Sequence, residues 1–150
     1  MCPVASPVGP ERAAPASDAD VRFSRPAVCR ILGVAPSWLE RLAQMLAEEA
    51  RHPLAASLTF PELLSIFVVS QVWGRLGGRA ETFAVGFGQA FAKLSACNDP
   101  ETLGDQTLVV GPDFARLAKL RSDHVSCAGD EFVIVELRPI LQVLRDLAFA

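Results

Sequence analysis

Gly33 is the residue that most restricts how this chain can fold, because it separates two short helical patterns that then have to brace each other. Ser24 can cap a helix of Arg25 to Leu32, with Pro26 tolerated in its first turn. Gly33-Val34 breaks the pattern, and Pro36 opens a second helix at its favoured first position, running to Glu49 or Ala50 before His52-Pro53 stops it. Two short helices that cross steeply and touch need a small residue where they meet, and a residue tolerant of positive φ where they join. Cys29, four residues before Gly33, fills the small slot, with Val28 and Leu32 as its inward neighbours. Val34 is expected to plug the core, and Leu39 and Leu42 to be the inward pair of the second helix.

Helical patterning continues to Ala96. Thr59-Phe-Pro-Glu62 has the spacing of a capping box and starts a third helix, which ends near Leu76 at Gly77-Gly78. A fourth helix, about Ala80 to Ala96, sets Phe83, Phe87 and Phe91 at successive i+4 positions with Leu94 close to the line. This stripe reads as core packing, part of it between subunits, and Ala84 and Gly88 beside it would admit a second helix. Asn98-Asp99-Pro100 opens a different region. Gln106–Val110 and Glu131–Leu137 read as strands, Asp113–Leu120 as a short helix capped by Asp113, and Ala128-Gly129-Asp130 as a turn. A closing helix, Pro139–Leu147, would carry Ile140, Leu141, Leu144 and Leu147 on one face. The expected fold is mainly α, with a small α/β C-terminal appendage. Residues 1–20, rich in Pro, Ala and Ser without periodicity, read as a disordered arm.

Of the 150 residues, 51% are hydrophobic, which is much apolar surface for a monomer of this size and predicts a homodimer. The net charge of −3 argues against an indiscriminate polybasic binder, but it is unevenly spread. Residues 1–20 carry −2, 21–53 carry +2, 54–97 carry +1 and 98–150 carry −4. The basic stretch coincides with the first helix pair, the expected direction for a phosphate-binding face. Cys2, Cys29, Cys97 and Cys127 are scattered, without a C-x-x-C pair or a signal peptide, so a reducing cytoplasm is expected. The most apolar window, Leu63–Val72, is too short and too polar to span a bilayer. Gly86-Phe-Gly88 lacks both the third glycine and the preceding strand of a dinucleotide loop. With His52 and His124 the only histidines, and with no nucleophile elbow or P-loop lysine, no enzyme and no cofactor are expected.

The stretch Phe23–Leu42, FSRPAVCRILGVAPSWLERL, resembles the helix-turn-helix of bacterial transcription regulators. Ser57–Gly78, SLTFPELLSIFVVSQVWGRLGG, is similar to the third helix after the wing in MerR-like proteins, so the resemblance spans roughly residues 23–96. It implies a winged helix-turn-helix domain at 21–78, a dimerisation helix at 79–97, and an effector or partner region at 98–150. It also implies double-stranded DNA as partner. Arg41 would pair with guanine and Gln44 with adenine on the outward side of the second helix, beside Ser37 and Trp38. Arg25, Arg30 and Arg51 would contact phosphates. Each arginine could equally be an ordinary surface charge, and Trp38 a packing residue against the third helix. The sequence departs from the pattern in two ways: the presumed wing, His52–Leu58, contains no arginine, and the recognition helix carries Glu40, Glu48 and Glu49.

The leading expectation is a dimeric, sequence-specific DNA-binding regulator, either a transcription factor or an autoregulating antitoxin whose acidic tail binds a toxin. The alternative is an interaction or assembly module, such as a phage-type small terminase subunit or an adaptor. A third option is a metal- or redox-responsive switch using His124-x-x-Cys127 with Cys97, although two close ligands do not make a site.

Overall fold

A computed structural model describes residues 21–49, 53–97, 99–119 and 132–149. The chain is mainly helical with a small portion of sheet. Strand β1 (Phe23–Ser24) leads into α1 (Arg25–Leu32) and α2 (Pro36–Glu49). Strand β2 (Ser57–Leu58) precedes α3 (Phe60–Leu76), a 3-10 helix over Gly77–Phe83, and α4 (Ala84–Ser95). A second 3-10 helix, Pro100–Asp105, leads to β3 (Thr107–Val110), β4 (Ala115–Ala118), β5 (Val133–Glu136) and α5 (Leu137–Ala148).

Local signals account for the first helices. The Ser24 side chain accepts a hydrogen bond from the Ala27 N–H, and α1 ends at Gly33 in the left-handed region, φ 68°. The N–H groups of Gly33 and Val34 both turn back to the Cys29 carbonyl, the Val34 bond being 3.1 Å, which satisfies a helix end that would otherwise be orphaned. Val34 itself is only half-buried and lies outside the core cluster, so the expected plug is absent. Leu39, Leu42 and Leu46 of α2 do the inward packing together with Val28 of α1. At the start of α3, the Thr59 N–H donates to Glu62 Oε1 at 2.8 Å while the Thr59 hydroxyl accepts from the Glu62 N–H, completing the capping box.

Helix α3 is the centre of the molecule. It is apolar around most of its circumference, and Leu63, Leu64, Ile66, Val68, Val69 and Val72 are essentially inaccessible. Its one fully buried hydroxyl, Ser65, donates back to the Pro61 carbonyl. Helix α4 lies along α3 and also meets α2 and the sheet. The Phe83–Phe87–Phe91 stripe is therefore buried completely within one chain. The stripe is not left over for a second subunit. The expected single helix from Ala80 also divides, because Gly77 at φ 59° diverts the chain and Gly77–Phe83 winds as a 3-10 helix first.

The sheet has order β4-β3-β5, antiparallel throughout, with Thr107 opposite Ala118 on one side and Glu136 on the other. The expected helix at Asp113–Leu120 is thus a correction: Gly111–Phe114 is a tight connection and Ala115–Ala118 is an edge strand. Hydrogen-bond pairing with β3 outweighs the helical propensity of Ala-Arg-Leu-Ala, and propensity is the weaker term whenever a tertiary partner is present. Helix α5 starts directly after β5 and buries Leu137, Leu141 and Leu144, while Leu147, expected on the same face, is 47% exposed. At its end the Phe149 ring meets Phe23 and Phe60 at 6.0 and 5.5 Å. The C-terminal region therefore shares one contiguous core with the first helices rather than hanging beside them. Among the described residues, no helix is long and apolar enough to cross a membrane.

Candidate nucleic-acid interface

Helix α2 has two sides. Leu39, Leu42 and Leu46 point into the core, and Ser37, Glu40, Arg41, Gln44, Ala47 and Glu48 are exposed. The connection Gly33–Ala35 lets it begin afresh: Trp38 and Leu39 N–H groups donate to the Ala35 carbonyl at 3.0 and 3.1 Å. Of the expected base-contacting residues, Ser37, Arg41 and Gln44 share the outward side.

Trp38 is half-buried and serves packing. Its ring meets Trp73 of α3 edge-on, with centroids 5.5 Å apart, and Trp73 in turn stacks on the buried Phe87 at 5.6 Å. The Arg41 guanidinium lies over the same Trp73 ring, 5.5 Å from its centroid, and forms an ion pair with Glu81 of the first 3-10 helix. Both side chains of that pair remain more than half exposed. Sequence reading did not single out Trp73 or Glu81. They lie 32 and 40 positions from Arg41, and no local spacing signals the contact.

Arg25 is committed to the backbone. Its guanidinium donates to the carbonyls of Leu54 at 2.6 Å and Ala55 at 3.3 Å, and stands 3.9 Å from Glu40. It thereby fixes the chain leaving α2 against the start of α1. Arg30, in the last turn of α1, is exposed, as is Arg22; neither has a polar partner among the described residues. Arg51 and His52 lie outside the described residues, as do residues 1–20, the turn at 128–130, His124 and Cys127. Between α2 and α3 the described residues 53–58 form no hairpin of their own, because β2 pairs with β1, Phe23 opposite Leu58. Cys97 Sγ donates to the Asp99 carbonyl at 3.2 Å. No cluster of three or more potential metal ligands occurs among the described residues. A groove of about 280 Å³ between α1 and α2 is lined by Arg25, Pro26, Cys29, Pro36, Leu39 and Glu40. It lies where the small Cys29 side chain leaves room.

No protein-family model, curated protein or solved structure matches this chain.

Proposed function

We propose that the chain is a sequence-specific DNA-binding regulator in which α1 and α2 act as a helix-turn-helix and α2 enters the major groove. The observation that carries this reading is the left-handed turn at Gly33, after which α2 buries its leucines and leaves Ser37, Arg41 and Gln44 together on the solvent side. That division of faces is what a recognition helix needs. Arg41 reads guanine O6 and N7, Gln44 reads adenine, and Arg30 holds a phosphate. Arg25 and Trp38 support the unit from within, since their contacts are already taken up by Leu54, Ala55 and Trp73. A regulator of this kind works as a homodimer on a two-fold site, and an antitoxin version would bind its toxin through residues 98–150. Pairing has to use a surface other than the stripe on α4. Val143 and Leu147 on α5 are exposed apolar candidates, and light scattering would report the dimer mass. The direct test is anisotropy titration against the duplex upstream of the chain's own reading frame, with mixed-sequence duplex as competitor. Expected are preference for the upstream duplex and a loss of roughly 1–3 kcal/mol for Arg41→Ala. Equal affinity for both duplexes would refute the reading.

One observation favours a second reading, an interaction or assembly module. Glu40 and Glu48 share the exposed side of α2 with Arg41, whose charge is matched by Glu81. Such a module would co-purify with a protein partner and leave the upstream duplex unshifted.

A further inference from the structure

Arg41 is the only lysine or arginine in α2. It does not point freely to solvent. Trp73 supports its guanidinium from one side and Glu81 takes up its charge. Glu81 is held in place by its own segment: Ala80 and Phe83 on either side of it are buried, and the Thr82 hydroxyl donates to the Arg79 carbonyl at 2.7 Å. A carboxylate mounted on a pinned turn stands opposite the single cation of the helix. Resting on the DNA-binding reading above, we infer that Glu81 is a selectivity residue. It acts as an internal phosphate mimic that occupies the one cation of a helix already carrying Glu40, Glu48 and Glu49. Merely electrostatic contact with a duplex then exchanges one anion for another and gains little, so a net gain requires the bidentate fit and neighbouring base contacts that a guanine edge at the right site adds.

The test is a double-mutant cycle of Arg41→Ala and Glu81→Gln, with Glu81→Ala as a second variant, titrated by anisotropy against a mixed-sequence 30-base-pair duplex at several salt concentrations. Glu81→Gln is expected to bind this duplex about three- to tenfold more tightly, through loss of an exposed ion pair and of one repulsive charge. Its slope of log affinity against log salt should steepen by about 0.9, the contribution of one further phosphate contact. Most of the gain should disappear when Arg41 is alanine, leaving only the small part due to the lost repulsive charge. A gain of equal size in the Arg41→Ala background, or no gain while the wild type still prefers its upstream duplex, overturns the inference and leaves the DNA-binding reading standing. Failure of the wild type and all variants to bind any duplex overturns both.

Discussion

Replacing Gly86 by alanine tests the packing of α4 on the sheet. An ideal Cβ at Gly86 would lie 1.9 Å from the Gly111 carbonyl oxygen and 3.1 Å from both the Gly111 carbonyl carbon and the Phe114 oxygen. All three are backbone atoms, so no side chain can swing aside. Restoring a normal carbon–oxygen separation requires α4 and the Gly111–Phe114 connection to part by about 1.4 Å. That displacement strains the 3.1 Å bond from the Gly86 N–H to the Pro112 carbonyl and the bond from the Ala115 N–H to Gln89 Oε1. Overpacking costs about 1–3 kcal/mol, and a weakened hydrogen bond about 1 more. The better helix propensity of alanine returns about 1 kcal/mol. A net loss of about 2 kcal/mol follows, which lowers the thermal midpoint by roughly 4–8 °C in a domain of this size. Gly74→Ala is the internal control. It is also a helical glycine, but its added Cβ meets nothing within 4 Å, so stability should rise by about 0.5–1 kcal/mol. Urea titration followed by circular dichroism measures both. If Gly86→Ala proves as stable as wild type, α4 does not press its backbone against the Gly111–Phe114 connection.

Arg25→Ala should cost about 1–2 kcal/mol in urea unfolding, because the Leu54 and Ala55 carbonyls lose their donor, and Arg25→Lys should restore only part of this. Full rescue by lysine would show that charge rather than the forked geometry matters. Leu144→Ala should lose about 2–5 kcal/mol and Leu147→Ala less than about 1, since the first is fully buried and the second 47% exposed. Equal losses would mean that α5 turns Leu147 toward the core as fully as Leu144. Cys29→Ala should change stability by less than about 1 kcal/mol, as its side chain borders open space between α1 and α2; a larger loss would indicate a tightly filled contact.

Elements whose causes are local were legible in the sequence. Ser24, Gly33, Pro36, the Thr59–Glu62 box and Gly77 each act on the backbone within a turn of themselves, and the bounds of α1, the start of α2 and both ends of α3 follow from them. What was not legible depends on partners far along the chain. Ala115–Ala118 becomes a strand only because β3 offers it a hydrogen-bonding edge. Gly86 is small because the Gly111–Phe114 backbone comes against it. The same division runs through the candidate site. The outward placement of Ser37, Arg41 and Gln44 follows from helical period, whereas the partners of Arg41 and Arg25 come from α3, the 3-10 helix and residues 54–55.

The distribution of cations explains why the basic character of residues 21–53 overstates their attraction for phosphate. Arg25 is used to hold backbone carbonyls and Arg41 is matched by Glu81, which leaves Arg22 and Arg30 as the exposed arginines without polar partners among the described residues of this segment. Glu40 and Glu48 are exposed in the same segment and add negative charge to it. Bulk electrostatics scales with the number of phosphates neutralised, and Arg22 and Arg30 together neutralise few. Any affinity this surface has for a duplex must then come from the base edges that Ser37, Arg41 and Gln44 can reach and from the doubling that a second copy supplies. On the DNA-binding reading proposed above, so little free charge on the described helix face means weak non-specific binding, which makes discrimination between sequences physically attainable.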